Sequence, residues 1–359
     1  MEKKFNIIGI MSGTSLDGID ISYCTYNQSS KKEWGFKLLK AKTYKHSTYI
    51  HSKLNEATEL NTISLIQLDK KLGIYIANLI NHFIEEFNIN RNEINAIASH
   101  GHTIFHDPKE KYTLQIGCGT TISIHTQLPV INDFRSKDVA LGGQGAPLVP
   151  IGDQLLFQNQ ADGFLNIGGI SNISLQEHNE TIAFDICPGN LPSNYLMKTI
   201  SKEYDENGNE ASKGKLNSLL LEKLNSIEFY KKTPPKSLGI EWLNENFFPI
   251  INNIDDSLQN KLFTINKHIA MQIGEIVNKS NIKKLLITGG GAYNTFLVDH
   301  IKIHSNAEII IPDSSIIEFK EAIIFGLLGA LYLAKEINCL SSVTGASRNS
   351  CGGVLHLPN

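Results

Sequence analysis

The chain has 359 residues, room for about two domains at roughly 150 residues each. Its 33 Lys+Arg against 36 Asp+Glu leave a net charge of −3, which excludes a protein built mainly to neutralise nucleic-acid phosphates, since that needs a clustered cationic excess. A hydrophobic content of 41% suits a globular chain, and the most apolar run, 322–334, is too short to span a bilayer. The first nine residues hold no apolar core of signal-peptide length. Cytoplasm is therefore the expected location, with neither membrane nor nucleic acid as a partner. Cys24, Cys118, Cys187, Cys339 and Cys351 are scattered, with no Cys-x-x-Cys pair. They form neither a disulfide framework nor a zinc site.

Strand-like and helix-like runs alternate, which predicts an α/β fold. Residues 5–10 make an apolar strand ending in a Gly/Ser/Thr turn, and 19–26 return as a second strand. Over 65–87, Leu65, Leu68, Leu72, Ile76, Leu79, Ile80 and Phe83 recur on one helical face. Strands are expected at 94–99, running into His100-Gly-His102, then at 113–116 and 129–132. Residues 164–167 and 173–175 flank a Gly-Gly turn, and 181–184 lead into Asp185. The strand 285–288 ends in three glycines expected to open a helix, and 318–337 reads as a helix apolar nearly all round, hence buried. A boundary at 147–152 predicts an N-terminal domain over 1–150 and a C-terminal one over 151–359.

Residues 5–22 and 164–175 share one plan: an apolar strand, a turn of glycine with small hydroxyl or amide residues, then another strand. Glycines let backbone N–H groups approach an anion, and hydroxyls add donors. Taken singly, the turn 13–18 is equally a phosphate cradle or a bare hairpin. It lacks the Gly-Lys-Ser/Thr of a Walker loop. The triplet Gly289-Gly290-Gly291 suits a nucleoside, and its sixth position, Asn294, departs from a dinucleotide fingerprint. Two such hairpins and a late glycine turn, in that order, resemble the actin, hexokinase and heat-shock ATPase superfamily. Met11 and Asn166 stand where that superfamily usually carries metal-organising acids, which leaves Asp17, Asp20 and Asp185 as candidates for Mg²⁺.

A narrower resemblance follows from seven segments. Met11-Ser-Gly-Thr-Ser-Leu-Asp-Gly-Ile-Asp20, Ser99-His-Gly-His-Thr103, the 133–150 run from Asp133-Phe-Arg-Ser-Lys-Asp138 to Pro150, and Asn166-Ile-Gly-Gly-Ile-Ser-Asn172 are four of them. Phe184-Asp-Ile-Cys-Pro-Gly-Asn190, Thr288-Gly-Gly-Gly-Ala-Tyr-Asn294 and Glu321-Ala complete the set. Together they resemble the anhydro-N-acetylmuramic acid kinase family over residues 7–330. The resemblance implies two actin-like (ribonuclease H-like) domains with an interdomain active-site cleft, paired as a homodimer. It implies ATP and Mg²⁺ as cofactors. The implied reaction turns an amino sugar, 1,6-anhydro-N-acetylmuramic acid, plus water into N-acetylmuramic acid 6-phosphate, a step of cell-wall recycling.

The resemblance also assigns residues. Asp185 would take the proton of the attacking water, with Glu321 as the second carboxylate. Gly13, Thr14, Ser15, Leu16, Asp17, Gly18, Ile19 and Asp20 in the first hairpin would bind ATP, as would Asn166, Gly168, Gly169 and Asn172 in the second. Gly289, Gly290, Gly291 and Asn294 would border the nucleoside. His100, His102, Arg135 and Asp138 would face the sugar, Arg135 gripping its lactyl carboxylate, and Asp17 and Asp20 would serve Mg²⁺. Each has a plainer alternative. Asp185 could cap a turn, Glu321 could answer a helix dipole, and Arg135 could pair with Asp133 or Asp138. His100, His102 and His106 could simply pack. The chain departs from the family at Ile186 and Cys187, commonly Thr-Gly, at Asn194, usually Asp, and at His102, often Gln. Two rival functions stay open: another actin-fold alcohol or sugar kinase, and a nucleotide and sugar sensor without turnover.

Overall fold

The computed structural model describes residues 2–13 and 16–359. The chain divides into two units, Met1–Phe157 with Phe319–Asn359, and Gln158–Glu318. In the first unit the strands are β1 (Lys3–Ser12), β2 (Gly18–Gln28), β3 (Trp34–Lys45), β4 (Ala96–Ser99), β5 (His102–Asp107), β6 (Tyr112–Ile116) and β7 (Val130–Asn132). The second unit holds β8 (Gly163–Ile167), β9 (Ile170–Glu177), β10 (Glu180–Pro188), β11 (Lys284–Thr288) and β12 (Glu308–Ile310), and β13 (Val354–His356) returns to the first.

One strand order occurs twice. The first sheet runs β13-β7-β4-β1-β2-β3 and the second β12-β11-β8-β9-β10. In each, the first three strands form an antiparallel meander, and two later strands, β4 then β7 and β11 then β12, extend the opposite edge of the first strand in parallel, with β13 closing the first sheet antiparallel to β7. The repeated hairpin plan read at 5–22 and 164–175 is β1–β2 and β8–β9, the first pair of each sheet. Each unit thus has the expected actin-like, ribonuclease H-like α/β architecture.

In the first unit the helix Thr62–Glu86 buries Leu68, Leu72, Ile76, Ile80 and Phe83 against Ile8, Ile10, Ile19 and Ile21 of the sheet. On the other face of β1, small residues let a helix come close. A β-carbon at Gly9 would lie 2.0 Å from the Ala322 carbonyl, one at Gly326 2.3 Å from the Tyr26 hydroxyl, and one at Gly329 2.7 Å from Ala98 Cβ. These contacts belong to the helix Ser314–Ala334, whose Ala322–Leu331 stretch is buried all round. Past its end, Glu336 accepts from Lys3 Nζ at 3.0 Å, Gln28 Nε2 at 3.0 Å and Trp34 Nε1 at 3.2 Å. In the second unit Leu165, Ile167, Ile173 and Leu175 pack on Leu262, Ile265, Ile269 and Ile273 of the helix Leu258–Lys279.

Three expectations need correction. The second unit ends at Glu318, not at 359, because the apolar helix and β13 complete the first unit's sheet. Within the expected boundary at 147–152, residues 149–152 form a short helix inside the first unit. The glycine triplet does not open a helix either. Gly290–Tyr293 form a single 3₁₀ turn, and the helix Thr295–His304 starts only after Asn294, whose side chain accepts from Leu297 N at 3.0 Å. Among the described residues no helix is long and apolar enough to cross a membrane.

Candidate active site

In open α/β sheets, ligands gather outside the carboxyl ends of the parallel strands. In the second unit that edge collects the motifs. Asp185 on β10 pairs with Asn172 on β9, Asn172 with Asn166 on β8, and Asn166 with Thr288 on β11. Side chains of directly paired residues share a face, so these four make one polar row. Their neighbours Phe184, Ile173, Leu165, Ile167 and Ile287 point the other way, into the core.

The glycines along this edge divide into two kinds. Gly289 has φ +81° and would set a β-carbon 2.6 Å from Asn166 Oδ1, and Gly291 would set one 2.2 Å from Ile167 Cγ2. The fold itself requires both. At Gly168 and Gly290 the nearest atom to a β-carbon is 3.6 and 3.7 Å away, and φ is not positive. Their bare backbone is left open to a ligand, which suits a nucleotide approaching closely. The loop after β10 is tied in by backbone bonds from Gly189 N to Gly169 O and from Asn190 N to Gly168 O, both 2.8 Å. Asn294 is spent on its helix cap and on Asn266 Oδ1, 3.1 Å away.

Asp185 is half-buried. Its Oδ2 accepts from Leu238 N at 2.7 Å, and its own N–H donates to Lys236 O at 3.1 Å. Desolvation raises its pKa above the usual aspartate value, and the Leu238 N–H opposes part of that rise. A carboxylate with one oxygen anchored and its basicity raised is what a general base requires. Ile186 and Cys187, which depart from the family pattern, are core residues at a β-bulge beside it.

The first unit assembles a second cluster, at the carboxyl ends of β1, β4 and β7. Thr14 and Ser15 lie outside the described residues. Of the rest of the first hairpin, Asp17 is exposed, Ile19 is a core residue, and Gly18 is bare because a β-carbon would lie 2.5 Å from Tyr44 O. Gly13 and Leu16 stay in the turn, with Leu16 N donating to Gly13 O at 3.3 Å. At the base of the hairpin Ser12 Oγ lies 3.0 Å from His102 Nδ1. Arg135 donates from Nε and Nη2 to His100 Nε2 at 3.0 and 2.9 Å, and from Nη1 to Gly145 O at 2.6 Å. Two donors on Nε2 assign the proton of His100 to Nδ1, which donates to Gly101 O at 3.0 Å. Burial beside Arg135 and against the Phe325 ring keeps that imidazole neutral, with its pKa pushed down to about 3. Burial likewise lowers His102 to about 4.

Glu321 reaches solvent from the first unit's returning helix, yet the protein around it desolvates its carboxyl and raises its pKa. Arg135 and Lys320 pull the other way, and the charge of Asp20 adds to the rise. Asp20 accepts from Thr43 Oγ1. Next to Glu321, the buried pair Lys320–Asp153, at 2.6 Å, anchors the backbone. Asp138 sits apart from this group. It is 1% exposed and spends its oxygens on Gly145 N, Thr344 Oγ1 and Cys339 Sγ. The ion pair weighed between Arg135 and Asp133 or Asp138 gives way to histidine and carbonyl partners, and Asp133 instead accepts from Ser136 N.

One residue escaped the sequence reading. His46 follows Lys45, which pairs with Gly18, so it stands across from Asp17, and both of its ring nitrogens are buried without a partner among the described residues. Nothing local in an exposed, lysine-rich strand singles it out.

Asp185 falls in the second unit, and Glu321 and Arg135 in the first. The family model of anhydro-N-acetylmuramic acid kinase matches residues 5–358 and so takes in both clusters. The chain belongs to the anhydro-N-acetylmuramic acid kinase family. It is 36% identical to the anhydro-N-acetylmuramic acid kinase of Francisella tularensis subsp. novicida (strain U112), over 94% of this chain and 95% of that protein. It is 33% identical to the enzyme of that name from Bacillus thuringiensis subsp. konkukian (strain 97-27), over 98% and 99%. Solved structures are more distant. An activator of 2-hydroxyisocaproyl-CoA dehydratase from Clostridium difficile with bound ADPNP gives a TM-score of 0.44 at 13% identity, covering 92% of this chain and 96% of that one. A ROK family glucokinase from Streptomyces griseus in complex with glucose and AMPPNP gives 0.39 at 9%, covering 90% and 98%.

Proposed function

We propose that this chain is an ATP-dependent kinase that hydrolytically opens the 1,6-anhydro ring of anhydro-N-acetylmuramic acid and phosphorylates O6, yielding N-acetylmuramic acid 6-phosphate and ADP in peptidoglycan recycling. The observation that carries this is the family match over residues 5–358, supported by the motifs collecting at the carboxyl ends of each unit's strands. In the reaction, water attacks the anomeric carbon and loses its proton to Asp185. The C1–O6 bond breaks, and O6 takes the γ-phosphoryl group as ADP leaves. Glu321 is the second carboxylate for the attacking water. Arg135, with its guanidinium already oriented by His100 and Gly145 O, receives the lactyl carboxylate. His102, neutral, offers a hydrogen bond to the sugar without adding charge, while His100, with both ring nitrogens engaged by Arg135 and Gly101 O, holds the guanidinium in place.

The open backbone at Gly168 and Gly290, with Asn166 and Asn172, takes the nucleotide in the second unit. The turn of residues 13–18 takes phosphate oxygens in the first. Among the described residues no three His, Cys, Asp or Glu stand close enough to hold a metal by themselves. Mg²⁺ keeps several waters and binds through one or two carboxylates plus phosphates. Asp20, with Asp17 beside it, would supply the protein ligand, and Mg²⁺ would neutralise phosphate charge. The protein acts in the cytoplasm as a homodimer on this reading, which family resemblance supports.

The test is product mass after incubation with Mg-ATP and the anhydrosugar in ¹⁸O water, quenched before the reducing end exchanges. The expected product is a phosphorylated, ring-opened sugar carrying one solvent oxygen at C1. Phosphorylation of open sugars alone would point to an ordinary alcohol kinase. An absence of ADP release with both the anhydrosugar and open sugars would leave a sensor.

A further inference from the structure

Asp138 looks, in the sequence, like another polar residue of the substrate loop, yet the structure turns it inward. Its Oδ2 accepts from Gly145 N at 2.8 Å, while the carbonyl of the same residue, Gly145, accepts from Arg135 Nη1 at 2.6 Å. Gly145 has φ +67°, and a β-carbon there would lie 2.7 Å from Val139 Cγ2. The backbone at this point is therefore in a left-handed conformation that glycine adopts readily and other residues rarely, gripped through its N–H by Asp138 and through its carbonyl by Arg135. Gly143 makes room for the carboxylate, since a β-carbon there would lie 2.2 Å from Asp138 Oδ2.

The other oxygen of Asp138 faces the far end of the chain. Oδ1 accepts from Thr344 Oγ1 at 2.7 Å and from Cys339 Sγ at 3.1 Å. Burial and the adjacent Asp138 hold the Cys339 thiol in its protonated, donating form. Backbone bonds run in parallel with this link, from Gln144 N to Thr344 O at 2.8 Å and from Ser347 N to Leu141 O at 3.0 Å.

We propose that Asp138 is a positioning residue, which sets the Arg135 guanidinium through Gly145 and is itself held by Thr344 and Cys339, so that the segment 339–347 is part of the substrate site without touching substrate. The proposal rests on the reading of Arg135 as the group that binds the sugar's carboxylate.

Asp138→Ala and Thr344→Val are each made alone and combined with Arg135→Ala, and KM for the anhydrosugar, KM for ATP and kcat are measured on folded protein. Thr344→Val is nearly isosteric and carries the test if Asp138→Ala does not fold. Arg135→Ala alone should raise the sugar KM. Asp138→Ala should raise it by about tenfold, the worth of one charge-assisted hydrogen bond, and leave the ATP KM unmoved. Added to Arg135→Ala, either substitution should change the sugar KM by less than about twofold, because it acts through a group already removed. Full additivity with Arg135→Ala, or an equal loss in the ATP KM, overturns the positioning role while the reading of Arg135 stands. An unchanged sugar KM in Arg135→Ala overturns both.

Discussion

Replacing Asp185 by Asn isolates the chemistry from the fold. The anchored oxygen of Asp185 accepts from Leu238 N at 2.7 Å, and an Asn carbonyl can accept the same bond. The backbone bond from Asp185 N to Lys236 O is untouched. What disappears is proton acceptance at the second oxygen. A positioned general base contributes about 10²–10⁴ in rate, or about 2.7–5.5 kcal/mol of barrier. Because that interaction forms in the transition state, kcat should fall by this factor while sugar and ATP affinities hold. Stability should move the other way. A carboxyl whose folded pKa is raised, here by desolvation, ionises at a greater cost in the folded than in the unfolded chain. The native state then binds more protons between the two pKa values, so wild-type stability declines as pH rises through that window. The Asn variant should therefore be at least as stable as wild type at pH 7, and its advantage should vanish below the unfolded aspartate pKa of about 3.8. Initial rates, calorimetry and denaturant melts on one preparation measure all of this. A folded Asp185→Asn enzyme with near-normal kcat would refute the base assignment, and weakened Mg-ATP binding would recast Asp185 as a metal ligand.

The remaining expectations are briefer. Gly289→Ala puts a β-carbon 2.6 Å from Asn166 Oδ1 at φ +81°, so it should cost at least about 1–2 kcal/mol in urea unfolding and weaken ATP binding; unaltered stability would show that the turn relaxes freely. His100 stays neutral down to about 3 in the folded state while the unfolded chain binds its proton near 6.5, so stability should fall as pH falls. Between pH 6.5 and 5 this amounts to about 2 kcal/mol, a loss His100→Gln should not show in matched melts. Asp153→Ala strands the buried Lys320 ammonium and should destabilise by about 3–5 kcal/mol, with Asp153→Leu/Lys320→Met recovering most of it; a loss under about 1 kcal/mol would mean the pair is solvated.

The hairpins of the candidate site were legible because their signals are local. Glycine at a turn, small hydroxyl or amide residues beside it and apolar strands on either side are properties of ten or so neighbouring residues, and both hairpins form where those residues occur. The helix Thr62–Glu86 was legible for the same reason, its apolar stripe matching its buried face. β3 was not, because Trp34–Lys45 alternates lysines with partly exposed residues and is a strand only by virtue of the free edge of β2. The helix Leu258–Lys279 also went unread, since its buried face mixes in Thr264, Asn266, His268 and Gln272, which become tolerable only once Asn217, Asn225, Tyr230 and Asn294 arrive to bond them.

What the sequence determined by itself is the α/β class, the paired hairpins and the residue types that can do the chemistry. Where those residues stand, and which partners they meet, was decided by contacts between distant segments. Arg135 has two acids within three residues along the chain, yet bonds to His100, thirty-five positions away, because β4 and β7 lie side by side and end together. Asp138 turns inward because residues 339–344 come back to meet it. The return of 319–359 to the first unit follows from a helix whose Ala322–Leu331 stretch is apolar all round and has to be covered, and from a β1–β4 surface where Gly9 and Ala98 let a helix backbone approach. Local spacing constrains what a segment can become; partners separated by two hundred residues are set only when the apolar faces have found each other.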